Sequence, residues 1–408
     1  MSRDLFCKNP WNCLELNNDG KCFFCNPCFS NFNLIGNIFE DDIDEIWNGE
    51  KAQNFRKDVL EKKYSFCNYE NCNGNKASEI PYNELIAPYP EYINIGYDYT
   101  CGQRCIICRD DYQALSEDEC KKWEDKLETH ILPITSQAKY MFVNCRGEFF
   151  DSKHTQKMVS SILSNNPSIR VDFISNGIKC TEENLKKHGL FDKIFKIHIS
   201  LHAASKETYK RIFRTDKFDS VMENVRYISS LKKEGKIDEF EIMFVITDAN
   251  YKDMPSFVKL AEELDAKAAF SACIGGYASY IMNREEYAVF YQNHHNYNNF
   301  VKMLKNPIFN SSHCWLPDYL RELKPVSFIQ SFKNKLRYFA RTKLNMKIKQ
   351  TKGNIQIFSH DTYKWWLLFV IAESQLFVYI LNIWEENVWK IFFSGFHFVE
   401  ISKFNQMS

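Results

Sequence analysis

The sequence has no net charge: 52 lysines and arginines are matched by 52 aspartates and glutamates over 408 residues. No global field therefore draws the chain to nucleic acid or to an anionic membrane, and no nucleic-acid partner is expected. The opening residues Met1-Ser2-Arg3-Asp4 hold no apolar signal core, so a cytoplasmic location is expected. No internal repeat is visible. What the chain has in quantity is cysteine, 15 in all. Disulfide scaffolds are as a rule small and secreted, and this chain reads as neither. Clustered cysteines in a large chain without a signal point to metal or redox duty. Cys120, Cys180, Cys273 and Cys314 are scattered singly and read as ordinary buried or surface thiols.

The length suits one large domain plus a smaller one. Residues 1–80 are rich in Cys, Asn and aromatics, with helical periodicity only near 41–62. Residues 90–275 alternate short β-rich runs with helical stretches. The strand candidates are 93–97, 139–144, 170–175, 195–201, 239–246 and 268–273, and helical patterns lie at 155–163, 218–231 and 254–264. Such alternation implies parallel βαβ units. Six units fall short of the eight that close a barrel, so an α/β fold with a partial (βα)6 TIM-like barrel is expected. Ligands of such barrels gather at the C-terminal ends of the strands. Residues 276–325 read as a helical extension of this core, and 326–408 as a separate basic and aromatic region.

The first strand candidate leads into a loop bearing Cys101, Cys105 and Cys108, with three residues between the first pair and two between the second. Thiolates are the usual protein ligands of a [4Fe–4S] cluster, and three of them leave one of its four irons open to chemistry. Three cysteines in eight residues also suit a zinc site. The spacing and placement resemble the cluster loop of the radical S-adenosylmethionine (SAM) superfamily. The resemblance implies that the open iron chelates the amino and carboxylate groups of SAM. One electron then cleaves SAM to methionine and a 5′-deoxyadenosyl radical, which abstracts a hydrogen atom from a substrate. It implies the partial barrel independently of the strand count, and a flavodoxin- or ferredoxin-type electron donor.

Further matches follow at the strand ends. Arg146-Gly147-Glu148 resembles the family's GGE motif; a glycine lets backbone approach a ligand closely, and Glu148 would accept hydrogen bonds from the SAM ammonium. Ser175-Asn176-Gly177 is a turn signal that resembles the family's TNG turn, which places Asn176 among the SAM contacts. Ser200 and Arg214 lie in a stretch that resembles "iSlda…etye.iR", where Ser200 would bond the ribose or carboxylate of SAM and Arg214 would face a carboxylate. His202 stands where the family often has Asp, and a lone histidine there reads first as structural. The segment 240–251 resembles the family's next strand and turn.

The N-terminal region carries Cys7-Lys8-Asn9-Pro10-Trp11, an Asp19-Gly20 hairpin turn, Cys22, Cys25, Cys28, Ile35-Gly36-Asn37-Ile38, Glu45-Ile46-Trp47-Asn48, Phe55-Arg56, Cys67 and Cys72. This string resembles the SPASM domain, the auxiliary-cluster module of radical SAM maturases. The hairpin is expected to set the strand bearing Cys7 beside the one leading to Cys25. Cys7, Cys25, Cys67 and Cys72 are the expected ligands of a second [4Fe–4S] cluster. Cys13, Cys22 and Cys28 are surplus, and Cys22 and Cys28 flank Cys25 closely enough to replace it. A structural zinc site is the alternative. The module usually follows the radical domain; here it precedes it. A peptide or protein substrate fits the SPASM resemblance, and a sugar- or lipid-linked one remains open.

Between Lys324 and Lys352 there is no acidic residue, and Phe328, Phe332, Leu336 and Phe339 fall at helical spacing. A basic amphipathic helix of this kind either lies on an anionic membrane or covers the barrel with a solvated outer face. The run 365–384 is apolar except for Glu373, Ser374, Gln375 and Asn382. It admits a bilayer span, a membrane-surface or partner contact, or a small buried domain.

Overall fold

The computed structural model describes residues 6–27, 30–67, 85–108, 114–143, 147–272, 287–342, 347–351 and 354–358. The described residues of 1–290 and 300–323 form one compact unit, and those of 291–299 and 324–408 a second.

The first unit is built on a ten-stranded, mostly parallel sheet. Its strands are β1 (Cys13–Leu16), β2 (Lys21–Phe23), β3 (Gly36–Asn37), β4 (Tyr92–Ile95), β5 (Tyr140–Val143), β6 (Arg170–Ser175), β7 (Ile194–Ser200), β8 (Glu239–Ile246), β9 (Lys267–Ala272) and β10 (Cys314–Trp315). Strands β4 to β9 follow in chain order and pair in parallel throughout. These are the six strands expected from the sequence, each displaced by at most two residues. The expected helices occur as Lys153–Asn165, Phe218–Lys233 and Met254–Glu263. The periodic stretch near 41–62 is two helices, Ile43–Asn48 and Glu50–Leu60, divided at Gly49.

Local sequence explains where helices begin. Ser116, Ser152, Thr181 and Ser205 each accept a backbone N–H three residues on. Each thereby satisfies one of the orphan donors of a helix start.

Burial along the strands shows which face carries helices. In β8, Phe240, Ile242, Phe244 and Ile246 are buried, while Glu241, Met243 and Val245 are half-buried. Strands covered on both faces read as continuous apolar runs, and this strict alternation means that one face is packed and the other polar. The packed face also carries Ile93, Met141, Val171, Phe173, Ile197 and Ile199, all fully buried. The polar face carries Tyr92, Asp172, Lys196, His198, Ser200 and Glu241.

The sheet holds four strands beyond the expected six. β1 joins β4 in parallel, with Cys13 opposite Tyr92 and Leu16 opposite Ile95. β2 and β3 continue the sheet antiparallel, and β10 extends the far edge beside β9. The cysteine-rich N-terminal segment is thus built directly onto the strand that leads to the Cys101 loop.

In the second unit, the Tyr297 hydroxyl donates to the Lys324 carbonyl at 2.9 Å and the Asn298 side chain pairs with the Val326 backbone at 2.9 and 3.0 Å. The expected basic helix is present as Phe328–Thr342, with Phe328 and Ile329 exposed. A hairpin of β11 (Lys347–Thr351) and β12 (Asn354–Phe358) follows. Among the described residues no helix is long and apolar enough to cross a membrane. The run 365–384 lies outside them.

Candidate functional site

Cys101, Cys105 and Cys108 are half-buried in the loop that leaves β4. The loop is fastened on several sides. Before it, the buried Asp98 carboxylate accepts from the Thr100 N–H at 2.8 Å, from the Thr155 hydroxyl at 2.7 Å, and from the Ser152 hydroxyl. Tyr97 stacks on Trp123 at 3.9 Å. Within the loop, the Gly102 N–H donates to Asp151 at 2.8 Å, and Lys179 pairs with the other oxygen of Asp151 at 2.6 Å. The Ile106 N–H donates to the Ile212 carbonyl at 2.9 Å, which ties the loop to the helix Lys206–Phe213. Within Cys101 to Cys108 there is no carboxylate and no imidazole. An all-thiol donor set suits an iron–sulfur cluster or zinc, so the residues present fit the cluster that the resemblance implies.

The strand exits converge on the same loop. Gly147 donates to the Asp98 carbonyl at 3.1 Å, and Glu148 donates through its backbone to the Thr100 carbonyl at 2.7 Å. The Glu148 side chain is 2% exposed. Its Oε1 accepts from the Ser175 hydroxyl at 3.0 Å and from the Phe150 N–H at 3.4 Å, and its Oε2 accepts from the Asn176 N–H at 2.7 Å. Burial pushes its pKa up to about 7 against the pull of those donors. Both oxygens are thus engaged within the protein, and Glu148 braces the exits of β4, β5 and β6 against each other. The Asn176 side chain accepts from the Ile178 N–H at 2.9 Å, which closes the turn at Gly177, φ +79°. Ser200 ends β7 on the polar face. Arg214 caps the helix Lys206–Phe213 in a left-handed conformation, φ +56°. Asn144, Cys145 and Arg146 lie outside the described residues.

His202 is a strut. Its φ is +53°, and its Nδ1 accepts from the Val245 N–H at 3.1 Å. Burial pushes its pKa down to about 4, so the ring is neutral. It joins the exits of β7 and β8, and the Asn250 amide bonds the carbonyls of both His202 and Val245 at 3.0 Å.

A charged network crosses the polar face. His198 Nε2 lies 2.8 Å from Asp172, and Nδ1 lies 2.9 Å from Glu241. Lys196 reaches Glu241 at 3.1 Å and Glu239 at 2.9 Å. The Tyr92 hydroxyl donates to Asp172 at 2.7 Å. Nε2 is hydrogen-bonded to Asp172, whereas Glu241 faces Nδ1 as a close ion-pair contact without an aligned hydrogen bond. Burial pulls the His198 pKa down, but the two carboxylates outweigh it and push it up to about 9. Set against an unfolded value of roughly 6.5, the raised pKa corresponds to about 3 kcal/mol. That stabilisation is complete below roughly pH 6.5 and is lost as pH rises through the folded value. Urea unfolding of the apoprotein between pH 6 and pH 10 should show this loss, and His198→Gln should flatten it. A wild-type profile as flat as that of the variant would refute the assignment. Sequence reading missed this network. Its signal is charge at alternate positions of otherwise apolar strands, Lys196 and His198 in β7 and Glu239 and Glu241 in β8.

In the N-terminal segment, the Asp19-Gly20 turn forms as expected, with Gly20 at φ +78° and the Gly20 N–H bonded to the Asn17 carbonyl. Cys7, however, is not on the hairpin strand. Pro10 opens a helical turn, Asn9–Asn12, and β1 starts only at Cys13, so Cys7 precedes that turn. The Asn33 amide bonds the carbonyls of Ser30 and Phe66 at 2.9 and 3.3 Å, which draws the chain after Cys25 to the residue before Cys67. Burial pushes the Cys13 and Cys22 thiols up to about 12, and the Cys22 thiol is engaged with the Gly20 carbonyl at 3.4 Å. Cys28 and Cys72 lie outside the described residues.

The motif residues of this segment form its core. Arg56 is fully buried. Its Nε donates to the Pro10 carbonyl at 2.8 Å, and its Nη1 to Asn48 Oδ1 at 2.9 Å and the Leu85 carbonyl at 3.0 Å. Its guanidinium lies 5.1 Å from the Phe24 ring and 4.9 Å from the Trp47 ring.

No curated protein matches the chain. Among solved structures, it is similar to Streptococcus suis SuiB bound to S-adenosylmethionine, at 15% identity over 68% of this chain and 64% of that one, with a TM-score of 0.34. The cobalamin-dependent S-adenosylmethionine radical enzyme OxsB is similar at 14% identity over 75% of this chain and 46% of that one, with a TM-score of 0.32. BtrN in complex with AdoMet and 2-DOIA is similar at 13% identity over 55% and 83%, with a TM-score of 0.23. The chain thus spans less than two thirds of the length of the first two. The SPASM family, an iron–sulfur cluster-binding domain, matches at residues 7–73. That span takes in the hairpin, Arg56 and its contacts to Pro10 and Asn48, and the segments around Cys7, Cys25, Cys67 and Cys72, so the residues that the family model matches include those that build the core of this segment.

Proposed function

We propose that the chain is a radical SAM enzyme. The observation that carries this reading is the three-thiol loop at the exit of β4, fastened to the ends of the neighbouring parallel strands. A [4Fe–4S] cluster held by Cys101, Cys105 and Cys108 would supply one electron to S-adenosylmethionine and so release a 5′-deoxyadenosyl radical that takes a hydrogen atom from the substrate. Gly147 and Glu148 hold the loop in place. Asn176, Ser200 and Arg214 stand at or just beyond the exits of β6 and β7, where they would contact SAM; Gly147 would do so through its backbone. Glu148 braces these exits and would also accept from the SAM ammonium.

Cys7, Cys25, Cys67 and Cys72 would hold the auxiliary [4Fe–4S] cluster of a domain spanning 1–80. The radical core spans 90–275, its extension 276–325, and a basic and aromatic region 326–408. The electron donor is of flavodoxin or ferredoxin type. The substrate is a peptide or protein, or a sugar- or lipid-linked molecule, and the 326–408 region offers a contact to a membrane surface.

The test is anaerobic reconstitution with iron and sulfide, reduction with SAM present, and detection of 5′-deoxyadenosine by mass. Cys105→Ala should abolish the product. Zinc in place of iron, or iron without SAM cleavage under strong reductant, would leave a non-catalytic metal-binding protein on the same scaffold.

A further inference from the structure

The helix Phe328–Thr342 is fastened within its unit by its polar side. Asn334 is 2% exposed, and its amide donates to the Gln292 carbonyl at 2.8 Å and to the His294 carbonyl at 3.4 Å. One turn on, the Tyr338 ring stacks on His295 at 3.6 Å. At 3.6 residues per turn these two side chains share one face of the helix, and Phe328, Ile329, Phe332, Leu336 and Phe339 fall on the opposite one. A surface helix ordinarily does the reverse, burying its apolar stripe and turning its polar side to water. Here Phe328 is 55% and Ile329 52% exposed, and Phe332, Leu336 and Phe339 are half-buried.

The charge is equally one-sided. From Lys324 to Lys352 there are nine lysines and arginines and no acidic residue, in a chain whose net charge is zero. Lys333 stands four residues after Ile329 and Lys335 three after Phe332, so an exposed lysine borders each edge of the apolar face. An anionic bilayer matches both features at once, with an apolar interior beneath a negatively charged rim. The chain then continues into the apolar run 365–384.

We propose that Phe328–Thr342 is an interfacial helix that seats the protein on an anionic membrane surface. Its apolar face enters the acyl boundary, and Lys333 and Lys335 meet the headgroup phosphates. This commits the basic region to one partner and is independent of the cluster chemistry.

The test uses the full-length chain and flotation with two kinds of vesicle, phosphatidylcholine alone and an equimolar mixture with phosphatidylglycerol. Wild type should float with the mixed vesicles and stay behind with the neutral ones, and added salt should release it. Lys333→Gln combined with Lys335→Gln should weaken the partition about 25-fold, about fivefold for each cation removed from a charged surface. Phe328→Ser combined with Ile329→Ser should weaken it at least about tenfold with the charge unchanged. All four side chains are exposed in the protein, so circular dichroism and 5′-deoxyadenosine formation without vesicles should match wild type in both variants. Failure of wild type to float, equal flotation with neutral vesicles, or flotation that either double variant leaves unchanged overturns the proposal. None of these outcomes touches the cluster reading, because 5′-deoxyadenosine is measured without vesicles.

Discussion

Gly147→Ala is expected to empty the Cys101 loop of its cluster while sparing the auxiliary one. A Cβ on Gly147 would stand 2.0 Å from the Thr100 oxygen, 2.5 Å from the Thr100 carbonyl carbon and 2.6 Å from that of Tyr99. All three are backbone atoms, so no side chain can swing aside. Thr100 adjoins Cys101, and it is the acceptor of the Glu148 N–H at 2.7 Å. Either the loop moves or the exit of β5 moves, and in both cases the bonds from Gly147 to Asp98 and from Glu148 to Thr100 break. The cost is at least about 3 kcal/mol, the upper end for overpacking.

Iron analysis should fall from about eight per chain toward about four, the content of one [4Fe–4S] cluster, and 5′-deoxyadenosine formation should cease. Gly235→Ala is the control. Gly235 has φ +71° and no atom within 4 Å of an added Cβ, so the substitution costs only the left-handed backbone conformation, about 1 kcal/mol. Full iron content and SAM cleavage in Gly147→Ala would show that the β5 exit does not position the loop.

The sequence disclosed the parallel core because each of the six strands has its own apolar run and each is followed by its own helix. It disclosed the thiol loop because the ligands are close together in the chain. Features that depend on distant pairing stayed hidden. β1 is four residues long and joins β4 across 79 positions, from Cys13 to Tyr92; no local pattern in Cys-Leu-Glu-Leu distinguishes that partner from any other. Glu148 was legible as a motif residue, but its pairing with Ser175 and Asn176 depends on the register of β5 beside β6.

Arg56 shows how a motif letter becomes a structural demand, and Arg56→Ala is expected to unload the auxiliary cluster. The guanidinium joins the Pro10 carbonyl, Asn48 and the Leu85 carbonyl in one buried place. Pro10 lies three residues after Cys7, so the clamp sets the direction from which Cys7 enters. Asn48 is itself committed, since its Oδ1 also receives the Ala87 N–H at 2.9 Å and its amide bonds the Ala87 carbonyl at 3.0 Å. Truncation would strand these acceptors without water, open a cavity between Phe24 and Trp47, and remove the cation over both rings. Leaving a buried acceptor unpaired costs about 1–3 kcal/mol, a large share of what holds a small domain together. Iron should again fall toward about four per chain, but now with the loop signal, the paramagnetic signal of the reduced protein that Cys105→Ala abolishes, retained. Arg56→Lys keeps the charge without the planar fork that reaches three acceptors, so its loss should be intermediate. The two variants thus dissect the chain from opposite ends: Gly147→Ala silences the loop signal and spares the other cluster, and Arg56→Ala does the reverse. Loss of both signals in Arg56→Ala would mean that β1, paired along β4, carries the disturbance into the parallel core, and that the two cysteine sites fold as one.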